Sequence, residues 1–159
     1  HIRDDHDYLY YRPAAVIGLA ANQSITSATW TTVSMGAGAN IYLNNGSVWS
    51  AATPNRLTPG VAGVWIFAAG VRFATSSAGA VRATRLLFNG TNELRLVAMD
   101  TIATNDRIQG TMALERVVNA TDYVELQAYQ DSGAGLNIID DIGSFLNTGT
   151  WLSAVFMSG

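Results

Sequence analysis

From Arg56 to Ala74 the chain reads RLTPGVAGVWIFAAGVRFA, and beyond Gly63 it carries almost no polar break. Alternate side chains of a strand point to opposite faces. One face therefore holds Trp65, Phe67, Ala69, Val71 and Phe73, and the other Val64, Ile66, Ala68, Gly70 and Arg72. A strand with one wet face would be polar at every second position. This one is apolar on both faces until Arg72, which predicts burial on both. Periodicity does not separate such a run from a buried helix. Its β-branched and aromatic residues, with Gly60, Gly63 and Gly70, favour the strand.

The other elements fall on either side of this segment. His1 to Arg12 is charge-dense and predicts the one helix, short and ended by Pro13, because the residue before proline disfavours helical geometry. Residues 1–13 are thus expected to pack on the domain or to continue a stalk. After them, turns recur about every ten residues, the spacing of an all-β sandwich or barrel. Expected strands are Ala15–Ala20, Thr29–Met35, a broken pair at Ile41–Leu43 and Val48–Ser50, and the central Val64–Ala74. Ala80–Phe88 and Leu94–Met99 follow, joined through Asn89-Gly90, a dipeptide suited to the positive φ of a tight hairpin. Then come Ile108–Val117, Tyr123–Gln130, a short piece at Leu136–Ile139 and the closing Trp151–Met157. Tyr123–Gln130 alternates, with Val124, Leu126 and Ala128 opposite Tyr123, Glu125, Gln127 and Tyr129. The closing strand is apolar on both sides: Trp151, Val155 and Met157 against Leu152, Ala154 and Phe156. Two separate strands thus ask for cover on both faces.

Composition sharpens that demand. The 159 residues suit a single domain with a sizeable core. Charged residues are only 13%, about half the usual share. Something other than charge must cover the surface: Asn, Thr, Ser, Gly or another subunit. All nine basic residues are Arg, and the net charge is −3. No basic patch for nucleic acid or anionic lipid follows from that balance. No apolar run has the length of a membrane span, so no membrane insertion is expected. Without cysteine there is no disulfide, thiol catalysis or zinc–thiolate site. The chain opens on His rather than Met, which suggests a piece of a longer or processed polypeptide.

The order of the pieces carries a resemblance. Asn22-Gln-Ser-Ile25 precedes Thr29-Trp-Thr-Thr-Val33, then Trp49-Ser-Ala-Ala52, Arg56-Leu-Thr-Pro59 and Val61-Ala-Gly-Val-Trp65. Phe88-Asn-Gly-Thr91, Asp122-Tyr-Val-Glu-Leu-Gln127 and Tyr129-Gln-Asp-Ser-Gly133 complete the series. Together they resemble the jelly-roll heads of the tumour necrosis factor and complement-type globular family, above all those in bacteriophage tail and structural proteins. His1-Ile-Arg-Asp-Asp5 resembles the short helical run that often precedes such heads. The likeness spans nearly the whole chain and says more about fold than about ligand. It implies an all-β jelly-roll sandwich over residues 14–159, assembled as a homotrimer with one sheet of each subunit around the axis. It further implies a non-enzymatic part of a virion (tail, baseplate or fibre head) that meets other virion proteins and, by extension, a host cell-surface glycan. The cysteines and collagen-like stalk of many eukaryotic members are missing.

Expected core or trimer contacts are Val64, Trp65, Ile66, Phe67, Phe73, Tyr123, Tyr129, Trp151 and Phe156. Which strand face forms the contact is left open. Trp30, Tyr42 and Trp49 lie in less regular stretches. They are candidates to face a glycan, although core packing is the commoner role for such residues. Arg72, Arg82, Arg85, Arg95 and Arg116 lie within strands, where the stem covers apolar surface and the head can pair with Glu93, Glu115 or Glu125.

Chemistry is sparse. His1 and His6 are the only histidines, and both lie in the leading segment. With Asp4, Asp5 and Asp7 they offer metal ligands, but a solvated or capping role suits them better. With no histidine in the body, a Ser–His–Asp triad is not available there. The carboxylates are scattered. Asp140-Asp141 near Asn137 is the best calcium candidate, although such a pair more commonly makes a polar turn. The Asn-x-Ser/Thr triplets at Asn22, Asn45, Asn89 and Asn119 would stay bare in a phage protein. No catalytic, cofactor or metal site is expected. The competing readings are a carbohydrate-binding host-recognition module and a glycan-cleaving enzyme with two facing acids.

Overall fold

The computed structural model describes residues 12–100, 107–140 and 149–159, with the side chains of residues 107–109 left aside. The expected helix therefore lies outside the described residues, as do His1, His6 and Asp141. All described elements are strands: β1 (Ala14–Gly18), β2 (Gln23–Ile25), β3 (Thr31–Thr32), β4 (Asn40–Asn45), β5 (Gly63–Phe73), β6 (Val81–Phe88), β7 (Asn92–Asp100), β8 (Arg107–Val117), β9 (Val124–Gln130), β10 (Leu136–Ile138) and β11 (Trp151–Ser158). No described helix is long and apolar enough to cross a membrane.

They form two antiparallel sheets. In the first, β8, β5, β11, β1 and β4 lie side by side, with β10 meeting the end of β5 and β2 outside β10. The second runs β3-β9-β6-β7. The central strand has neighbours on both edges: β8 pairs along its full length and β11 along Val64–Gly70. One face of β5 becomes the core between the sheets. Trp65, Phe67, Ala69 and Val71 are fully buried there with Leu86, Val124, Leu126 and Ala128 of the second sheet. Trp65 meets Phe67 at 6.3 Å between ring centroids and Phe156 edge-on at 5.4 Å, while its indole N–H donates to the Val61 carbonyl.

Most sequence-level elements are present. Asn89 and Gly90 take φ of 52° and 72°, and Thr91 N–H closes the turn on the Phe88 carbonyl, as the dipeptide predicts. In β9, Val124, Leu126 and Ala128 are buried while the residues between them are half-buried. Three expectations differ. Val48–Ser50 makes only an isolated bridge between Trp49 and Leu57. Thr29–Met35 narrows to a two-residue strand, because after Val33, whose N–H still reaches Leu126 of β9, the chain leaves β9 and Met35 donates to the Pro54 carbonyl. β2 was not anticipated. It is short and polar, and it exists because β10 pairs with it and the buried Gln130 amide donates to the Ile25 carbonyl.

A carboxylate fixes the turn after β8. Asp122 is buried and accepts from the N–H groups of Val118 and Asn119 at 2.9 and 2.8 Å and from the Asn89 side chain at 3.0 Å. These donors, the Asn119 N–H foremost, hold its pKa down at about 2. A folded-state pKa below the unfolded value means the bonds stabilise the fold above the ordinary carboxylate range. That contribution is lost as pH falls from about 4 toward 2. Urea midpoints across that range are expected to decline, and Asp122→Ala should lower the neutral-pH stability by about 2 kcal/mol while flattening the decline.

Candidate interaction face

The other face of the first sheet has no second layer among the described residues. Directly paired residues share a face, so the registers draw its rows. Leu114, Ile66, Val155, Ala14 and Asn45 form one row across β8, β5, β11, β1 and β4. The next holds Met112, Ala68, Ser153, Val16 and Leu43, and the third Gly110, Gly70, Trp151 and Gly18, beyond which a bulge shifts the register of β4. No residue in these three rows is charged. The charges flank them, with Arg116 opposite Val64 at one end and Arg72 at the other.

Five strands at about 4.8 Å spacing and three rows make a flat area on the order of 300 Å². The largest apolar patch of an ordinary monomer is of that order, and it is often a contact surface. Leu114 is 66% exposed and Met112 64%. Val155 and Met157 also stand open. Ile66, Met112, Ala113 and Leu114 line a shallow hollow of about 110 Å³. A larger hollow of about 330 Å³ lies at the end of the face, between Val64, Arg116, Val118 and Gly159. Among the described residues no group of His, Asp or Glu is placed to hold a metal ion.

No family model matches the chain, and no curated protein matches it in sequence. Solved structures do match. PRD1 vertex protein P5 superposes with a TM-score of 0.66 at 16% identity, covering 93% of this chain and 99% of that one. Eiger TNF from S. frugiperda gives 0.60 at 8%, covering 92% and 93%. The fold is a tumour-necrosis-factor-like jelly roll. The globular domain of zebrafish complement 1qA protein matches it too, at 0.59 and 10% identity over 92% of this chain and 98% of that one.

Within the jelly roll, the expected contact residues separate into three places. Trp65, Phe67, Phe73 and Phe156 are core. Val64, Ile66 and Trp151 lie on the uncovered face and are only partly buried. Tyr123 and Tyr129 belong to neither, because they point outward from the second sheet. There the Arg56 guanidinium lies 4.6 Å from the Tyr123 ring, and Tyr129 meets Trp30 at 5.4 Å. Of the aromatics that are candidates to face a ligand, Trp49 takes the commoner role of core packing, 5% exposed. Its backbone is held by both ends of the Asn44 amide. Tyr42 is half-buried on β4. Trp30 is half-buried with the Arg85 guanidinium 4.3 Å over its ring, and Arg85 in turn bonds to Gln127 and Glu93.

Arg85 and Arg82, both within strands, find acids. Arg85 pairs with Glu93 at 3.3 Å, and the buried Arg82 lies 3.6 Å from Asp131. Burial lowers the pKa of Arg82 despite that partner, and it raises that of Glu125. Backbone N–H groups of Val81 and Ala80 lower that of Asp131. Asp140, the calcium candidate, donates its N–H to Asn22 at the end of the sandwich.

Sequence reasoning did not single out Met112, Leu114, Val16 or Leu43. The usable signal was alternation within Thr111–Leu114, but Ala113 between the two large residues blurs it.

Proposed function

We propose that this chain is a trimer-forming structural module of a virus particle, acting by binding and assembly rather than by turnover. The observation that carries the reading is the uncharged apolar face spanning β8, β5, β11, β1 and β4, which one protomer leaves uncovered. Closed symmetry is the ordinary way to bury such a surface, and in the family that the sequence resembles one sheet of each subunit packs about a threefold axis. The virion setting is supported by the likeness to a phage vertex protein and by the phage-type sequence resemblance. A tail, baseplate or fibre head is the position we favour, exposed outside the cell and in contact with other virion proteins.

Analytical ultracentrifugation at micromolar concentration is expected to return about three times the 16.9 kDa chain mass. A stable monomer there would overturn the assembly reading. Mass spectrometry of purified particles tests the setting, since the chain should be present in stoichiometric amount.

A host-glycan site is the weaker reading. Its best aromatic, Trp30, is already engaged by Arg85 and Tyr129.

A further inference from the structure

We propose that Asn45 is a site of spontaneous chemical modification, its side-chain amide cyclising onto the backbone nitrogen of Gly46. The Gly46 nitrogen attacks Asn45 Cγ, the Cγ–Nδ2 bond breaks, and ammonia leaves with the backbone proton. The resulting five-membered imide is then opened by water, giving aspartate or, through the other carbonyl, isoaspartate. No oxidant or catalyst is required. Glycine in the following position favours the step, because it has no Cβ to hinder the approach of its nitrogen.

The chain contains two such dipeptides, Asn45-Gly46 and Asn89-Gly90, and the fold treats them oppositely. Asn89 is clamped at both ends of its amide. Nδ2 donates to Asp122 at 3.0 Å, Oδ1 accepts the Tyr123 N–H at 2.9 Å, and its own N–H bonds the Tyr123 carbonyl. The side chain cannot turn toward the Gly90 nitrogen without breaking these bonds. Asn45 is exposed at the end of β4 and makes no side-chain hydrogen bond among the described residues. The work of holding its turn falls to Asn44, which bonds the Trp49 backbone through both side-chain ends. Gly46 and Ser47 then reverse the chain with φ of 74° and 53°.

The position gives the modification a consequence. Asn45 ends the row that contains Ala14, Val155, Ile66 and Leu114. Conversion would add a carboxylate to a face whose three central rows hold no charge.

Peptide mapping by mass spectrometry after prolonged incubation of the full chain at mildly alkaline pH tests the assignment. In the folded chain Asn45 should convert at least about tenfold faster than Asn89, which must first open its clamp locally. In urea the two should convert at similar rates, because Asn-Gly-Ser and Asn-Gly-Thr are locally alike. Comparable rates in the folded chain, or the same disparity in the unfolded one, would overturn it.

Discussion

Replacing Ile66 by arginine is expected to split the proposed trimer into folded monomers. Ile66 sits in the first uncharged row, between Leu114 and Val155. An unpaired charge taken into an interface costs several kcal/mol, even after relaxation. Roughly 3–5 kcal/mol per contact would weaken association by a hundredfold or more. Ile66 lies on the sheet face opposite Trp65 and Phe67, so the sandwich itself should survive with an unchanged circular dichroism spectrum. Leu96→Arg is the control, because Leu96 is 44% exposed on β7 of the second sheet. Sedimentation of the two variants at one concentration decides the matter. If the Ile66 variant keeps the wild-type mass, this face is not where subunits meet.

Trp65→Ala should have the largest effect on the fold itself. The ring is fully buried, packs on Phe67 and Phe156, and bonds the Val61 carbonyl. Truncating a buried Trp or Phe to Ala costs about 3–5 kcal/mol, through lost burial and the cavity left behind. For a chain of this length that lowers the melting temperature by roughly 10 °C. The cavity is expected to persist, because the sheet positions around it are fixed by ladders on both edges of β5. Melting curves at matched protein concentration measure it, since any oligomer adds a concentration-dependent contribution. A shift of only a degree or two would mean that Phe67 and Phe156 close over the gap.

The two substitutions share one strand and differ by one position, and that contrast shows how far the sequence could be read. Alternation along Val64–Phe73 separated two apolar sets before any coordinates. It could not say which set faces the partner sheet, because both satisfy the same periodicity. The same ambiguity leaves Tyr123 and Tyr129 open in the sequence between core, contact and solvent. Their strand does alternate, but whether its outer side meets solvent or a subunit depends on the sheet to which β9 belongs. Trp49 takes the commoner of its two expected roles, core packing, for another reason. It sits in an irregular stretch, where period carries no information, and its burial comes from a bridge to Leu57 and the Asn44 clamp.

Residue order alone determined the all-β class, the position and length of the central strand, the Asn-Gly hairpin and an excess of apolar faces. Those are local properties, written in alternation and turn chemistry. The tertiary structure decided which residues stand in one row across five strands. Cross-strand register joins Leu114, Ile66, Val155 and Ala14 from segments far apart in the chain, and no local pattern encodes that pairing. The uncovered face exists only once those segments lie side by side.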